Sequence, residues 1–363
     1  MAVSGPSYLC GLRQNATDRS NVALQNVGSS SAGAITLRLT VFSGDGSGAS
    51  QTLPDQVLPP GSFVQISGIL TSNGLSLSNG YVRVERVSGT APYYAYGVIN
   101  DQANSDGSFI PPISESSLSG KTRLTLPVVV ENTAFSTELV ITNWSSARKT
   151  LSFSYVSDAI QTTNQTANFS VDIQPSSQLI WPDLVQRLRD AQTTGIGPKG
   201  TSFAGALFVT VSSGDLSGIS VSARTAAQGD AGWYGLFYTA LPAGSSSTSD
   251  VWLYGLQQNG ENRTNLALVN TGESGITADT FRIELFDGNT GQKVATIDDR
   301  VLNANRWTQL NNILSQYAPG LTQGYAHITR TGGTNPFIAY AVINDGAQAG
   351  QRSGDGAFLS SAQ

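Results

Sequence analysis

Short stretches in which apolar and polar residues alternate dominate the chain. Residues 35–41 have a period of two, and residues 281–285 repeat it. Leu151, Phe153 and Tyr155 keep the same phase in the middle of the chain. A period of two is typical of a β-strand with one buried face. The pattern therefore predicts an all-β protein built from short strands.

Other stretches predict turns and short helices. The strand at residues 35–41 is followed by Gly44-Asp45-Gly46, and Asp and Gly favour the positive φ values of tight hairpins. Residues 182–188 begin with proline and carry apolar residues on one helical face, which predicts a short helix. Ile69-Leu70 and Ile313-Leu314 occupy equivalent places. We expect each of these turns to cover an open end of the sheets.

The chain contains internal repeats. Residues 21–26 return as residues 265–270, and residues 96–101 return as residues 340–345, 244 positions later in both cases. A third, more divergent copy lies between them, in which Asn132 precedes Asn143 by 11 residues, the spacing that separates Asn259 from Asn270. A repeated module fixes domain size and fold type together.

The repeats define three units. Each unit closes on a Gly-x-Phe segment, at residues 107–109, 235–237 and 356–358. Ser- and Gly-rich stretches at 114–120 and 243–249 are typical of flexible linkers. We therefore expect three tandem Ig-like antiparallel β-sandwich domains, each with a short helical turn. Their boundaries are residues 1–118, 119–246 and 247–363.

The copies resemble tandem repeat modules of large secreted or surface proteins from environmental bacteria. Such modules open with a Leu-Pro-Val-like strand followed by Arg-Thr-Asn-Leu-x-Leu-x-Asn, and they close on an Asn-Asp turn and a Gly-x-Phe-Ile-Pro-like segment. The matching residues here are 126–128, 263–270, 344–345 and 107–111. The resemblance implies a β-sandwich fold and an extracellular location, and it implies no activity. The middle copy departs from it, with Ser136-Thr137-Glu138 where the outer copies continue the pattern.

Seven polar residues recur at equivalent places, and we expect them to serve the fold. The Asn side chains cap the turn that leaves a strand. The Arg side chains reach backbone carbonyls across the end of a sandwich. The Asp side chains bond to their own turn, with a calcium site as the alternative. These residues are Asn26, Asn143, Asn270, Arg19, Arg263, Asp101 and Asp345.

Composition excludes several classes of function. Only 12% of the residues are charged, and the net charge is −5. The chain has no basic stripe, so we expect neither nucleic-acid binding nor attraction to anionic membranes. It has no run of 18 apolar residues, and its first residues do not form a signal peptide.

The sequence offers little chemistry for catalysis. The single cysteine, Cys10, is expected to be a small buried residue. The single histidine, His327, corresponds to Arg83 and is expected to face solvent. A Ser-His-Asp triad and a His-rich zinc site are therefore not expected. Carboxylates near strand ends, such as Asp106 and Asp355, are further candidates for paired acid and base groups, but we expect no enzyme.

Aromatic residues are the best candidates for ligand contacts. Pairs of rings occur at Tyr93-Tyr94 and at Trp233-Tyr234. Exposed rings stack on sugar faces, whereas buried rings serve the core. Both interpretations stay open for these four residues.

The sequence predicts a non-catalytic extracellular array that acts as a surface spacer, an adhesion protein or a fibre subunit. Its expected partners are other copies of itself or neighbouring modules. The alternative is a carbohydrate-binding, lectin-like adhesin. No cofactor is expected apart from the calcium alternative.

Overall fold

The protein is built almost entirely from antiparallel strands. The computed structural model describes residues 5–157, 166–348, 351 and 356–360. Strands account for 58% of these described residues, which contain only two short α-helices, α1 (Leu184–Asp190) and α2 (Ile313–Tyr317). The predicted all-β class is confirmed. In the described residues no helix is both long and apolar enough to span a bilayer.

The strands fall into three groups along the chain. We call residues 1–118, 119–246 and 247–363 segments 1, 2 and 3. Segment 1 contains β1 (Ser7–Arg13), β2 (Asp18–Asn26), β3 (Ile35–Ser43), β4 (Ser50–Thr52), β5 (Gln56–Leu58), β6 (Phe63–Ile66), β7 (Asn79–Ser88), β8 (Tyr93–Asp101), β9 (Gly107–Ile110) and β10 (Ile113–Ser114). Segment 2 contains β11 (Arg123–Glu131), β12 (Phe135–Asn143), β13 (Lys149–Ser157), β14 (Thr166–Ile173), β15 (Ser177–Trp181), β16 (Phe203–Val211), β17 (Ile219–Gly229), β18 (Gly232–Thr239) and β19 (Leu241–Pro242). Segment 3 contains β20 (Asp250–Gln257), β21 (Asn262–Asn270), β22 (Asp279–Asp287), β23 (Lys293–Leu302), β24 (Arg306–Leu310), β25 (Gln323–Gly332), β26 (Phe337–Asp345) and β27 (Gly356–Ser360).

Each segment forms two sheets of its own. The front sheet, which contains the first strand of a segment, has the order β10-β1-β7-β3-β4, β14-β13-β16-β11-β19 or β20-β25-β22-β23. The back sheet, which contains the second strand, has the order β6-β2-β8-β9, β15-β12-β17-β18 or β24-β21-β26-β27. When corresponding strands are compared, their order is the same in all three segments. The repeat seen in the sequence is therefore also a repeat of topology.

The two sheets of a segment pack against each other. In segment 1, Leu9 and Val84 of the front sheet share one buried cluster with Leu24 and Ile99 of the back sheet. Their inward positions alternate with outward ones along each strand, which is the period of two expected for a half-buried sheet. The predicted end covers are buried as well, because Ile69, Leu184 and Ile313 are each fully inaccessible.

The helix predicted in the middle copy is present and is capped locally. Helix α1 begins at Leu184, and the Asp183 carboxylate accepts the N–H of Gln186 at 3.0 Å. This is the usual way to satisfy one free donor at a helix start. Helix α2 occupies the equivalent place in segment 3, whereas Ile69 and Leu70 lie in a turn.

The recurring asparagines hold each sandwich together as predicted. Asn26, Asn143 and Asn270 are fully buried at the end of the second strand. The side-chain oxygen of each accepts the N–H two residues later, which caps the turn. The side-chain amide of each donates to the last carbonyl of a neighbouring strand, at Leu58, Ile173 and Leu302 respectively. One side chain therefore satisfies one backbone group in the turn and another on a separate strand.

Of the two recurring arginines, Arg263 makes the expected backbone contacts in the described part of the chain and Arg19 does not. Arg263 is buried and donates to the carbonyl oxygens of Asp345, Gly346 and Gln348, at 2.8, 3.0 and 3.2 Å, as expected for an arginine that closes a sandwich end. Burial lowers the pKa of Arg263. Arg19 forms no such bond within the described part of the chain, so the expectation is wrong for segment 1.

The stretches between segments are ordered by local contacts. Leu118 is buried in the hydrophobic cluster of segment 2, although residues 114–120 are expected to bury little. The Asp215 carboxylate accepts the N–H of Gly120 at 2.7 Å. Further along, Ser247 and Phe337 exchange two backbone hydrogen bonds. The short connections therefore pack on the sandwiches that they join, which contradicts the expectation that they bury little.

We predict that Asn270→Ala destabilises segment 3 by about 2–3 kcal/mol, because it leaves the buried Leu302 carbonyl and the Gly272 N–H without partners. Guanidinium denaturation measures the change. The control is Asn303→Ala at an exposed position of the same segment, with an expected change below about 0.5 kcal/mol. Equal effects of the two substitutions would contradict the structural role of Asn270.

Candidate functional site: the faces on which the segments meet

Segments 1 and 2 meet through sheet faces. Val140 and Phe237, which point outward from the back sheet of segment 2, are buried in the hydrophobic cluster of segment 1. The Phe237 ring lies against Gly11 of the segment 1 front sheet, so closely that a Cβ there would lie 3.1 Å from the ring. Gly11 has φ of 92° and sits at an irregularity between Leu9 and Leu12. A side chain at Gly11 would therefore be both strained and in collision with Phe237.

Aromatic stacking continues this contact. Trp144 of segment 2 stacks on Tyr8 of segment 1, with ring centroids 4.3 Å apart and an interplanar angle of 18°. Tyr8 in turn neighbours Tyr81, which stacks on Phe42. Offset stacking of this kind adds about 0.5–1.5 kcal/mol beyond the area that is buried.

Cys10 lies in the same contact and is inert. Its side chain is 1% exposed beneath segment 2, as expected for a buried cysteine. Burial raises the pKa of the thiol to about 12, against the opposing hydrogen bonds from Thr142 and Ser220. Since the thiolate is the reactive form, Cys10 does not act as a nucleophile at neutral pH.

Gln178 is the polar centre of this junction. Its side-chain oxygen accepts the N–H of Gly11 at 2.7 Å and the hydroxyl of Thr142 at 2.8 Å. Its side-chain amide donates to the Leu12 carbonyl at 3.2 Å and to the Gly80 carbonyl at 2.9 Å. Because Gly11 lies at a bulge, its N–H needs a partner from outside the ladder. The buried backbone groups of one segment are therefore satisfied by a side chain of the next.

An ion pair explains why the middle copy departs from the repeat. Glu138, which stands where the outer copies have asparagine, receives two hydrogen bonds from the Arg13 guanidinium of segment 1. The two side chains are only 4% and 12% exposed, so little solvent screens the attraction between their charges. Removing either partner would leave a buried charge, which costs about 3–5 kcal/mol. The departure therefore fits segment 2 to its neighbour.

Asp101 bonds to its own turn, as predicted, and also to segment 2. Its carboxylate accepts the N–H groups of Ala103 and Asn104 and, at 3.0 Å, the N–H of Trp233. Burial opposes ionisation, but these backbone donors lower the pKa of Asp101 below its ordinary value. Nearby, the Ser108 hydroxyl donates to the Gly235 carbonyl at 2.8 Å.

Segments 2 and 3 meet through the corresponding faces. Outward residues of the segment 3 back sheet join the hydrophobic cluster of segment 2; they are Ala267, Val269, Trp307, Ile338 and Tyr340. The Tyr340 hydroxyl accepts from Trp307 Nε1 at 2.8 Å and donates to the Pro127 carbonyl at 3.3 Å. Phe358 packs edge-on against Tyr238, with ring centroids 4.9 Å apart. Both junctions therefore place a front sheet on the following back sheet.

Arg123 closes one side of the second junction. Its guanidinium donates to the Thr271 carbonyl and, at 2.5 Å, to the Asn305 side chain. It also lies over the Phe208 ring, 5.3 Å from the centroid. Burial lowers the pKa of Arg123. Beside it lies an open hollow of about 770 Å³ that is also lined by Phe153, Phe169 and Arg306.

The second junction also holds a narrower crevice of about 350 Å³. Tyr234 and Tyr340 supply aromatic surface. Six side-chain amides line it, those of Asn132, Asn265, Gln309, Asn311, Asn312 and Asn344. No carboxylate or imidazole is among the described residues that line this crevice or the wider hollow. Both lack the paired carboxylates of a glycosidase.

The four candidate aromatic residues are separated. Tyr93 is fully buried, and its hydroxyl donates to the Gly5 carbonyl at 2.7 Å and the Val84 carbonyl at 3.0 Å. A ligand contact by Tyr93 is therefore wrong, because inward and outward residues alternate along β8. Tyr94 is half-buried on the outward side of the same strand. Trp233 is partly exposed at the first junction, and Tyr234 lines the crevice at the second.

His327 is less exposed than expected. Its ring stacks on Trp252 at 4.0 Å, and its Nε2 lies 3.0 Å from the Asp250 carboxylate. The hydrogen bond to His327 lowers the pKa of Asp250. Asp345 is the last residue of β26, and its backbone carbonyl accepts from Arg263, whereas Asp355 lies outside the described residues. The described part of the chain contains no group of three or more His, Cys, Asp or Glu side chains that could hold a metal ion.

In comparisons with known proteins, no family profile matches the chain, and no curated protein is significantly similar to it.

We predict that Gln178→Ala loosens the first junction by about 3 kcal/mol, because the buried Gly11 N–H and Gly80 carbonyl lose their partner. Trypsin cleavage after Lys121, between the segments, should then accelerate by about 100-fold, the factor that corresponds to that free energy. The control Gln174→Ala changes an exposed amide just before β15 and should leave the rate unchanged. Identical cleavage of both variants would show that Gln178 does not hold the segments together.

Proposed function

We propose that the chain is a rigid, non-catalytic extracellular array of three Ig-like β-sandwich domains that spaces or displays neighbouring structures. One observation carries the proposal: both junctions use the same pair of faces, with the front sheet of one segment covered by the back sheet of the next. Arrays of this kind gain length by repeating one contact between neighbours.

The chemistry of the junctions supports rigidity. Buried rings, a multiply bonded amide and a nearly inaccessible ion pair all lie between segments 1 and 2. Linked domains that merely touch are expected to move relative to each other unless their interface is large and apolar. Here buried side chains of one segment complete the hydrophobic cluster of another. The short, packed connections leave little room for movement.

The distribution of polar groups supports a structural role. The recurring asparagines and Asp101 are occupied by bonds to the backbone, and the lone cysteine is buried. A catalytic site needs groups with matched pKa values that converge on a pocket. The two hollows at the second junction are lined by amides, hydroxyls, guanidinium groups and rings.

We predict that small-angle X-ray scattering fits one fixed arrangement of the three segments, with the same maximum dimension at low and high salt, because apolar contacts dominate both junctions. Gln178→Ala should broaden the distance distribution, and Gln174→Ala should not. A wild-type profile that requires an ensemble of segment orientations would contradict the proposed rigid array.

A second candidate function is binding of a neutral carbohydrate in the crevice at the second junction. The favouring observation is that the half-buried Tyr234 stands there among six amides. Amides bond to sugar hydroxyls, and rings stack on sugar faces.

We predict for this candidate that a panel of neutral oligosaccharides, followed by calorimetry, shows binding that Tyr234→Ala weakens at least tenfold. Trp233→Ala is the matched control, because Trp233 does not line the crevice and should leave binding unchanged. Absence of binding, or equal loss in both variants, would remove this candidate.

A further inference from the structure

We propose that the chain binds a second copy of itself head to tail, with the free front sheet of segment 3 docking on the free back sheet of segment 1 in the next molecule. This inference rests on the proposed array function and names its partner. The two junctions inside the chain use a front sheet and a back sheet each. One face of each kind is left uncovered, and they belong to the two outer segments.

The free front face is an aromatic surface in register with the covered one. Five residues of segment 3 lie 244 positions after residues on the front face of segment 1, of which Tyr8, Cys10 and Tyr81 are buried with Trp144 of segment 2. They are Trp252, Tyr254, Phe286, Tyr325 and His327, which correspond to Tyr8, Cys10, Phe42, Tyr81 and Arg83. Phe286 stacks on Tyr325 at 5.0 Å, as Phe42 stacks on Tyr81 at 5.1 Å. The two faces therefore share this stacked pair of rings.

The front face of segment 3 is open to solvent, whereas the equivalent face of segment 1 is covered. Tyr254 is 63% exposed, whereas Cys10 at the equivalent position is buried. Gly255 repeats the bulge of Gly11 with φ of 85°, but a Cβ at Gly255 would meet nothing within 4 Å. The Phe237 ring fills the corresponding space over Gly11. The space over Gly255 is the site that we assign to a phenylalanine of the next molecule.

Segment 1 presents that phenylalanine. Phe109, Phe237 and Phe358 occupy the same position on the last strand of each back sheet, where they pair with Val98, Arg224 and Val342. Phe237 is 8% exposed because it packs on segment 1, and Phe358 packs on Tyr238 of segment 2. Phe109 is 44% exposed, because in the structure no other segment covers it. The recurring Phe is thus a junction residue, and one copy of it is free.

Further exposed apolar residues lie on the same back face as Phe109. Phe63, at the position of Gln178, is 52% exposed, and Val27, at the position of Trp144, is 40% exposed. Tyr96 lies between them and contacts Phe109 at 5.2 Å between ring centroids. Exposed apolar residues gathered on one face are typical of an interaction site. The opposite face of this sheet packs on the buried core.

We expect the free front face to fit the free back face, and neither face to fit a second copy of itself. A front sheet receives a back sheet at both existing junctions, so like faces are not expected to pair. A contact between two different faces of one molecule is heterologous, and it continues into rings or open filaments. We therefore expect growth beyond the dimer.

Charge contributes less to the proposed contact between molecules than to the first junction within the chain. Arg13 and Glu138, which pair at the first junction, correspond to Gln257 and Asn21 at the free faces. Neither residue is charged, so the new contact has no equivalent of this ion pair. Association should therefore persist at high sodium chloride and strengthen with sulfate, because apolar burial drives it.

Sedimentation velocity of the full chain up to about 1 mM tests the proposal, since a short linker gives neighbouring modules an effective concentration in that range. The expected result is a weight-average sedimentation coefficient that rises steadily with concentration. Tyr254→Glu and Phe109→Glu should each abolish the rise, because each places a charge in one face. Both residues are exposed in the single chain, so the fold should survive, as checked by an unchanged thermal melt.

Mixing the two variants tests whether the contact joins a front face to a back face. Each variant keeps one intact face, so the equimolar mixture should form a heterodimer and stop there. Ile276→Glu, at a position that is 93% exposed and outside both faces, should assemble like the wild type. A dimer formed by either variant alone would show that like faces pair and would overturn the head-to-tail contact.

The outcomes also separate this inference from the proposed function. A wild-type chain that stays monomeric at 1 mM while its scattering fits one arrangement would overturn the self-association and leave the rigid array standing. A chain that assembles while its segments reorient would contradict the rigid array instead.

Discussion

The covering of outward apolar residues on one front sheet by the back sheet of the next segment is the contact on which the arrangement of the segments depends. A β-sandwich buries one face of each sheet in its own core, and the other face usually meets water. Here Tyr8, Cys10 and Tyr81 lie on the outward face of segment 1, and segment 2 buries them. The back sheet of segment 2 brings Phe237 onto Gly11, where the absence of a side chain permits contact. The sandwiches thus depend on their neighbours.

Two sets of residues have different structural roles. Those that recur in all three copies hold each sandwich: Asn26, Asn143 and Asn270 each tie a turn to a neighbouring strand. Residues that differ between copies fit one segment to the next. Glu138, Gln178 and Trp144 occur only in segment 2, and each contacts segment 1. Repetition therefore fixes the fold and the choice of faces, while variation decides how tightly a particular junction holds.

The sequence predicted what depends on local pattern and failed where a neighbour intervenes. Alternation identified the strands, and the offset of 244 residues placed equivalent strands in register, because side-chain direction along a strand has a fixed period. Asn270 was predicted to cap its turn because the cap lies two residues away. By contrast, Gly107-Ser108-Phe109 could be recognised only as the end of a unit. Whether its ring is buried or exposed depends on a preceding segment, which no local pattern records. The same limit made Tyr93 and Tyr94 indistinguishable, since burial alternates along β8.

Disulfide trapping between molecules tests the equivalence of the faces most directly. Cys10 lies beside Thr142 in the closed junction, and residues 254 and 25 are their counterparts on the free faces. The native thiol is buried and does not compete. The account predicts that Tyr254→Cys and Gln25→Cys, mixed and oxidised, give a disulfide-linked heterodimer that neither forms alone. Failure of the mixed pair to link while either variant links to itself would contradict it.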